Sequence, residues 1–225
     1  MQQALLDYLG QYVSEGKKDI IDKILAQRTR YLTVVLEDIY HSQNASAVIR
    51  SCDCFGIQDL HVIENKHVHK INPRVVHGAS KWVDVISYSD DIDNSSNCFR
   101  GLRNKGYKLI GTVPEPSAMS IYDLKINNPI ALVFGTEKEG LSASAREYCE
   151  EFVTVPMYGF TDSFNISVSA ALCMNIIAQK LFSSNLEWAL SVAEKQALKL
   201  SWYRKIVHRS DLLEKEFLKS ENYLK

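Results

Sequence analysis

No C-x-x-C pair occurs anywhere in the 225 residues, and the five cysteines, Cys52, Cys54, Cys98, Cys149 and Cys173, make an odd number. A zinc ribbon and a paired disulfide framework are thereby excluded, and the thiols read as reduced. Cys52 and Cys54 stand two apart and so point to different sides of a helix. Neither a metal nor a membrane is expected as a partner. No apolar run reaches the roughly 20 residues that a spanning helix needs. The opening MQQALLDYLG lacks the charge pattern of a signal peptide, so the expected location is the cytoplasm. No G-x-G-x-x-G follows the first strand-like run, which removes the dinucleotide fingerprint. Repeats and low-complexity segments are missing too. So is an excess of either charge: 26 Lys and Arg face 27 Asp and Glu, and no global field points to nucleic acid.

What is there suits an α/β protein. The chain is 46% apolar, enough for a proper core, and its length fits one domain with decorations. Residues 1–28 carry Leu5, Leu6, Leu9, Ile20, Ile21 and Leu25 on helical stripes. Strand-like runs follow at 32–37, 59–64, 82–88, 107–113, 130–135 and 152–156. They alternate with helical patterns at 44–55, 90–104, 142–149 and 163–182. This alternation predicts a largely parallel sheet with helices on both faces. IALVFG is apolar throughout, as a central strand covered on both sides should be. Beyond about residue 185 two more helices are expected. The organisation is then 1–29 as an N-terminal helical extension, 30–183 as the main domain and 184–225 as a C-terminal helical extension. Positive charge gathers locally, in ENKHVHKINPRVVHGASK (64–81) and EKQALKLSWYRKIVHR (194–209).

Three strand-end loops hold most of the chemistry, where open α/β sheets bind ligands. In NASAVIRSCDCFG (44–56), Asn44 is a plausible N-cap. Arg50 sits in the middle of a mostly apolar helix, where burial would be costly unless an anion met it. FGTEKEGLS (134–142) nearly imitates a P-loop but has Leu141 where the phosphate lysine belongs. What remains is a glycine-bounded turn with a carboxylate, Glu137. In VPMYGFTDSFNISVSAAL (155–172), Asp162 or Ser163 could cap the following helix. Asn165 in its first turn would offer hydrogen bonds at a positive dipole end.

These three segments, in this order, resemble the motifs of the SpoU (TrmH) family of RNA ribose 2′-O-methyltransferases, within the SPOUT superfamily. Asn44, Ala47 and Arg50 match the first motif; Gly135, Glu137, Gly140 and Leu141 the second; Pro156, Met157, Gly159, Ser163, Asn165 and Ser167 the third. Phe164 and Ile166 replace a usual leucine and valine, and the likeness covers roughly residues 30–182. RTRYLTVVLEDIYHSQNASAVIRSCDCFGI, HGASKWVDV and LSWYRKIVHR are most similar to the branch that methylates the tRNA D-loop guanosine at position 18. Gln43 departs from a histidine common in that branch.

The resemblance implies a C-terminal deep trefoil knot, a homodimer with its active sites at the interface, S-adenosylmethionine as cofactor and tRNA as partner. It implies Arg50 at the reacting oxygen, Asn44 anchoring the Arg50 helix, Glu137 and Asn165 binding or ordering the loops, and Ser163 and Asn165 near the reacting groups. Thr112, Gly135, Val155, Met157 and Phe164 would line the cofactor pocket. Arg28, Arg30, Lys199, Arg204, Lys205 and Arg209 are the RNA-contact candidates. The alternatives are a SpoU-type enzyme acting on ribosomal RNA or another tRNA position, and a non-catalytic RNA-binding module. The joint presence of Arg50, Glu137, Ser163 and Asn165 weighs against the last.

Overall fold

The structure, a computed structural model, describes residues 1–66, 72–76, 78–90 and 93–223. Its elements run α1 (Gln2–Gly10), α2 (Glu15–Leu25), β1 (Leu32–Glu37), α3 (Ser42–Cys54), β2 (Asp59–Ile63), α4 (Pro73–Val76), β3 (Asp84–Tyr88), α5 (Asn94–Asn104) and β4 (Lys108–Thr112). They continue with β5 (Met119–Ser120), β6 (Ile130–Phe134), α6 (Ala143–Tyr148), β7 (Glu151–Thr154), α7 (Ile166–Phe182), α8 (Val192–Ile206) and α9 (Ser210–Tyr223). They form two compact units, residues 29–188 and residues 1–28 with 189–225.

The larger unit is built on a seven-stranded sheet of order β3-β2-β1-β6-β4-β7-β5. Its described pairings are all parallel, with Val34 beside Leu60, Leu32 beside Ile130 and Lys108 also beside Ile130. The period-2 alternation of strand side chains separates two cores. Leu32, Val34 and Leu36, with Ile130, Leu132 and Phe134, face α3 and α7 through Val48, Ile49, Met174 and Ile177. Val35, Ala131 and Val133 face the other way, onto Phe99 and Leu102 of α5 and Ala145 of α6. β1 and β6 are buried along their whole length, and full burial of one such aliphatic side chain contributes about 1.5–3 kcal/mol. Thr29 at the start of this unit donates its hydroxyl to the carbonyl of Trp188 at its end, at 2.6 Å.

The smaller unit packs α1, α2, α8 and α9 around Leu5, Leu9, Ile21, Leu198, Trp202 and Tyr203. Ser191 and Glu194 form a reciprocal capping box at the start of α8. Tyr8 and Phe217 stack at 5.3 Å.

Three local features depart from the pattern read in the chain. α3 begins two residues before Asn44, with His41 at its N-cap position; the His41 carbonyl accepts the N–H of Asn44 at 2.9 Å. β5 is only two residues long, too short to leave a period. α7 starts at Ile166, and Asn165, rather than Asp162 or Ser163, caps it by accepting the Ser167 N–H at 2.9 Å. Among the described residues no helix is long and apolar enough to cross a membrane. Of the basic stretch 64–81, His67, His69, Lys70 and His77 lie outside the described residues, as does the side chain of Arg74.

Candidate functional site

Strands β4, β6 and β7 end side by side, and the segments that leave them enclose a cavity of about 320 Å³. Thr112 leaves β4, Gly135 leaves β6 and Val155 leaves β7. Met157, Ser163 and Phe164 come from the loop that runs into α7. All five residues expected around a cofactor, Thr112, Gly135, Val155, Met157 and Phe164, thus line one cavity, with Ser163 beside them.

The turn after β6 explains its glycines. Thr136 and Gly140 exchange backbone hydrogen bonds at 2.9 and 3.1 Å, and the Thr136 hydroxyl accepts the Glu139 N–H at 2.9 Å. A Cβ on Gly135 would lie 2.1 Å from the Gly140 carbonyl oxygen. Gly140 has a φ of +69°, the left-handed region that glycine enters without steric cost. The far end of the turn is fixed by Glu37, buried at the end of β1. Its carboxylate accepts the Ser142 hydroxyl at 2.8 Å and the Ser95 hydroxyl at 2.7 Å. Glu37 belongs to none of the three motifs; its signal in the chain is an acid that closes an otherwise apolar strand.

Glu137 joins the three loops. Asn44 Nδ2 donates to Glu137 Oε1 at 2.8 Å, and Asn165 Nδ2 donates to Asn44 Oδ1 at 3.1 Å. Asn165 Oδ1 in turn accepts the Ser167 N–H and hydroxyl. The Glu137 carboxylate also accepts the backbone N–H of Tyr40 at 3.2 Å and of His41 at 3.4 Å. Partial burial pushes its pKa up. The hydrogen bonds from Asn44, its own N–H, Tyr40 and His41 outweigh that and hold it below the usual carboxylate value. The network is therefore anionic at neutral pH.

The cationic residues divide differently from their reading in the chain. Arg50 is exposed, because the apolar stripe of α3 is Ala45, Val48, Ile49 and Cys52. Arg50 turns away from that stripe, so the burial cost foreseen for it does not arise, and it is not among the cavity-lining residues. Arg28 is 1% exposed and lies 5.4 Å over the Trp202 ring, so it cannot reach an RNA. Arg30 clamps two strands, from Nε to Asp59 at 3.0 Å and from Nη2 to Asp84 at 3.2 Å. Lys199 pairs with Asp22 at 2.6 Å and Arg204 with Glu214, so these two are tied within their own unit. Lys205 and Arg209 are exposed.

The SpoU rRNA Methylase family pattern matches residues 31–175. A tRNA (guanosine(18)-2′-O)-methyltransferase of Borreliella burgdorferi is 41% identical over 206 residues, covering 92% of this chain and 93% of that protein. The crystal structure of a TrmH/SpoU tRNA modifying enzyme from A. aeolicus superposes with a TM-score of 0.77 at 23% identity, covering 87% of this chain and 98% of that one. The SpoU methyltransferase AviRb from Streptomyces viridochromogenes, solved in complex with the cofactor AdoMet, gives 0.59 at 22% identity over 72% of this chain and 62% of that one. At these identities the two structures establish likeness of fold.

Proposed function

This chain belongs to the SpoU rRNA Methylase family, and from that premise we propose that it methylates the ribose 2′-oxygen of the D-loop guanosine, position 18, of tRNA. The observation that carries the reading is the bond chain Glu137–Asn44–Asn165, which ties all three motif loops together at the mouth of one cavity. The 41% identity to the Borreliella burgdorferi tRNA enzyme supports the choice of tRNA. The family's own description favours ribosomal RNA as the second reading.

A cavity of about 320 Å³ lies in the range of small-molecule sites. Its mix of apolar side chains, Val155, Met157 and Phe164, with the glycine backbone at Gly135 suits an adenosine. S-adenosylmethionine held there supplies the methyl group. The protein's own task is chiefly positioning. Glu137 and Asn44 fix the Gly135–Gly140 turn against α3, and Asn165 locks the loop that carries Ser163. Arg50 acts on the RNA. A guanidinium stays protonated at any working pH, so Arg50 stabilises the developing alkoxide or a neighbouring phosphate rather than serving as the base. A phosphate or water takes the proton. The exposure of Arg50, away from the cavity lining, is consistent with a site completed by a second copy of the chain. The assembly we propose is therefore a homodimer, working in the cytoplasm, and the main domain carries the deep trefoil knot of its superfamily.

The test is transfer of label from S-adenosylmethionine to an unmodified tRNA transcript, beside a matched transcript with a 2′-deoxy sugar at the D-loop guanosine. Label on the first alone is the expected result. Equal label on both would move the target elsewhere.

A further inference from the structure

The Gly135–Gly140 turn has a second side. Thr136, Glu137, Lys138 and Glu139 line both the cavity described above and a separate cleft of about 260 Å³, whose remaining walls are Tyr40, His41 and Lys66. We propose that this cleft seats the guanine base of the nucleotide being methylated, stacked on the Tyr40 ring. The proposal rests on the methyl-transfer reading and specifies how that site receives its substrate.

Tyr40 is 64% exposed, yet its backbone is held by the N–H bond to Glu137. Its ring packs at 85° and 4.8 Å against the His41 ring. An aromatic face presented to solvent on a fixed backbone is a stacking platform, the commonest means by which proteins hold an unpaired base. Lys66 brings a positive charge to the rim. It pairs with Glu139 at 3.5 Å, and both side chains are about two-thirds or more exposed. Such a pair is weak in water and can open to a phosphate. The Lys66 backbone, by contrast, is fixed. Asp38 accepts the N–H groups of Asn65 and Lys66 at 2.7 and 2.8 Å, from a backbone with φ of +52°. That conformation costs energy for a non-glycine residue and persists where the surroundings demand it.

The base preference follows from Glu139. A carboxylate only accepts hydrogen bonds, and the Watson–Crick edge of guanine offers two N–H donors side by side. Adenine and the pyrimidines do not present that pair. Because one turn separates cleft from cavity, a nucleotide whose base occupies the cleft has its ribose at the edge of the cavity.

The decisive experiment is a two-by-two cycle on methyl transfer with the full-length protein. Wild type and Tyr40→Leu are each assayed with a tRNA transcript and with the same transcript abasic at the target nucleotide, which keeps the 2′-oxygen. Cofactor binding is followed by calorimetry in both proteins. The expected result is that Tyr40→Leu raises the KM for RNA about tenfold, that the abasic site raises it further because the Glu139 contacts go as well, and that adding Tyr40→Leu to the abasic site raises it no more. Tyr40→Phe should restore the wild-type KM, and S-adenosylmethionine binding should not change. Two losses that multiply, or a Tyr40→Leu protein with an unaltered KM, would overturn the base seat while leaving methyl transfer intact. A wild-type protein that methylates no RNA would overturn the functional reading, and this proposal with it.

Discussion

Glu137 accepts hydrogen bonds from three separate places, the Asn44 side chain and the N–H groups of Tyr40 and His41. Replacing it with alanine takes the acceptor from those donors; the Tyr40 and His41 N–H groups are exposed and turn to water, so the stability cost is about 0.5–1.5 kcal/mol. Methyl transfer should fall by about a hundredfold or more, with Glu137→Gln intermediate; steady-state kinetics beside a thermal melt separate the two effects. His61 gives a second residue-scale prediction. It is buried in β2, its Nδ1 lies 3.0 Å from the Tyr88 hydroxyl, and burial lowers its pKa to about 4. The unfolded chain takes up that proton near pH 6.5 and the folded one only near 4. Stability is therefore full above pH 6.5 and declines as the pH drops through that window, by roughly 3 kcal/mol in all. A His61→Gln protein should lose much of that slope in urea titrations at stepped pH.

At the scale of elements, the turn after β6 admits little change. Gly135→Ala would drive a methyl group into the Gly140 carbonyl. The expected outcome is a lowered melting temperature and loss of S-adenosylmethionine binding, measured by calorimetry. The strands that position this turn were legible in the chain. β6 is apolar on both faces, and that pattern has few other homes than the middle of a covered parallel sheet. The three loops were legible as motifs. The partners of particular side chains were not, because those partners are far away in sequence. Asn44 resembled a cap from its neighbours, but its side chain is engaged with Glu137, 93 residues on. Arg30 and Arg28 looked like RNA contacts by charge alone, whereas Asp59, Asp84 and Trp202 claim them in the folded protein. For Arg50, set in a mostly apolar helix, burial would have called for an anionic partner, and the side of α3 on which it falls leaves it exposed.

On the scale of the whole molecule, a net charge near zero means that RNA affinity depends on a few local cations. In the C-terminal stretch, Lys205 and Arg209 are exposed cations. Converting both to alanine should flatten the dependence of log K on log salt by about one for each phosphate that is no longer neutralised. An unchanged slope in filter binding would remove this patch from the RNA footprint.

The smaller unit draws on both ends of the chain, residues 1–28 and 189–225. During synthesis its first helices emerge about 160 residues ahead of the ones they pack against. The central pair of the sheet waits as well, since Leu32 finds Ile130 only after nearly a hundred further residues. Contacts of such long range form slowly and leave apolar surface uncovered meanwhile. Leu5, Leu6 and Leu9 thus stay uncovered until α8 and α9 have emerged to pack on them. Protease treatment of chains arrested near residue 190 should cut within residues 1–28, and the released full-length protein should resist. Helices α8 and α9 then act as a seal: until they are in place, the apolar faces of α1 and α2 have nothing to close against.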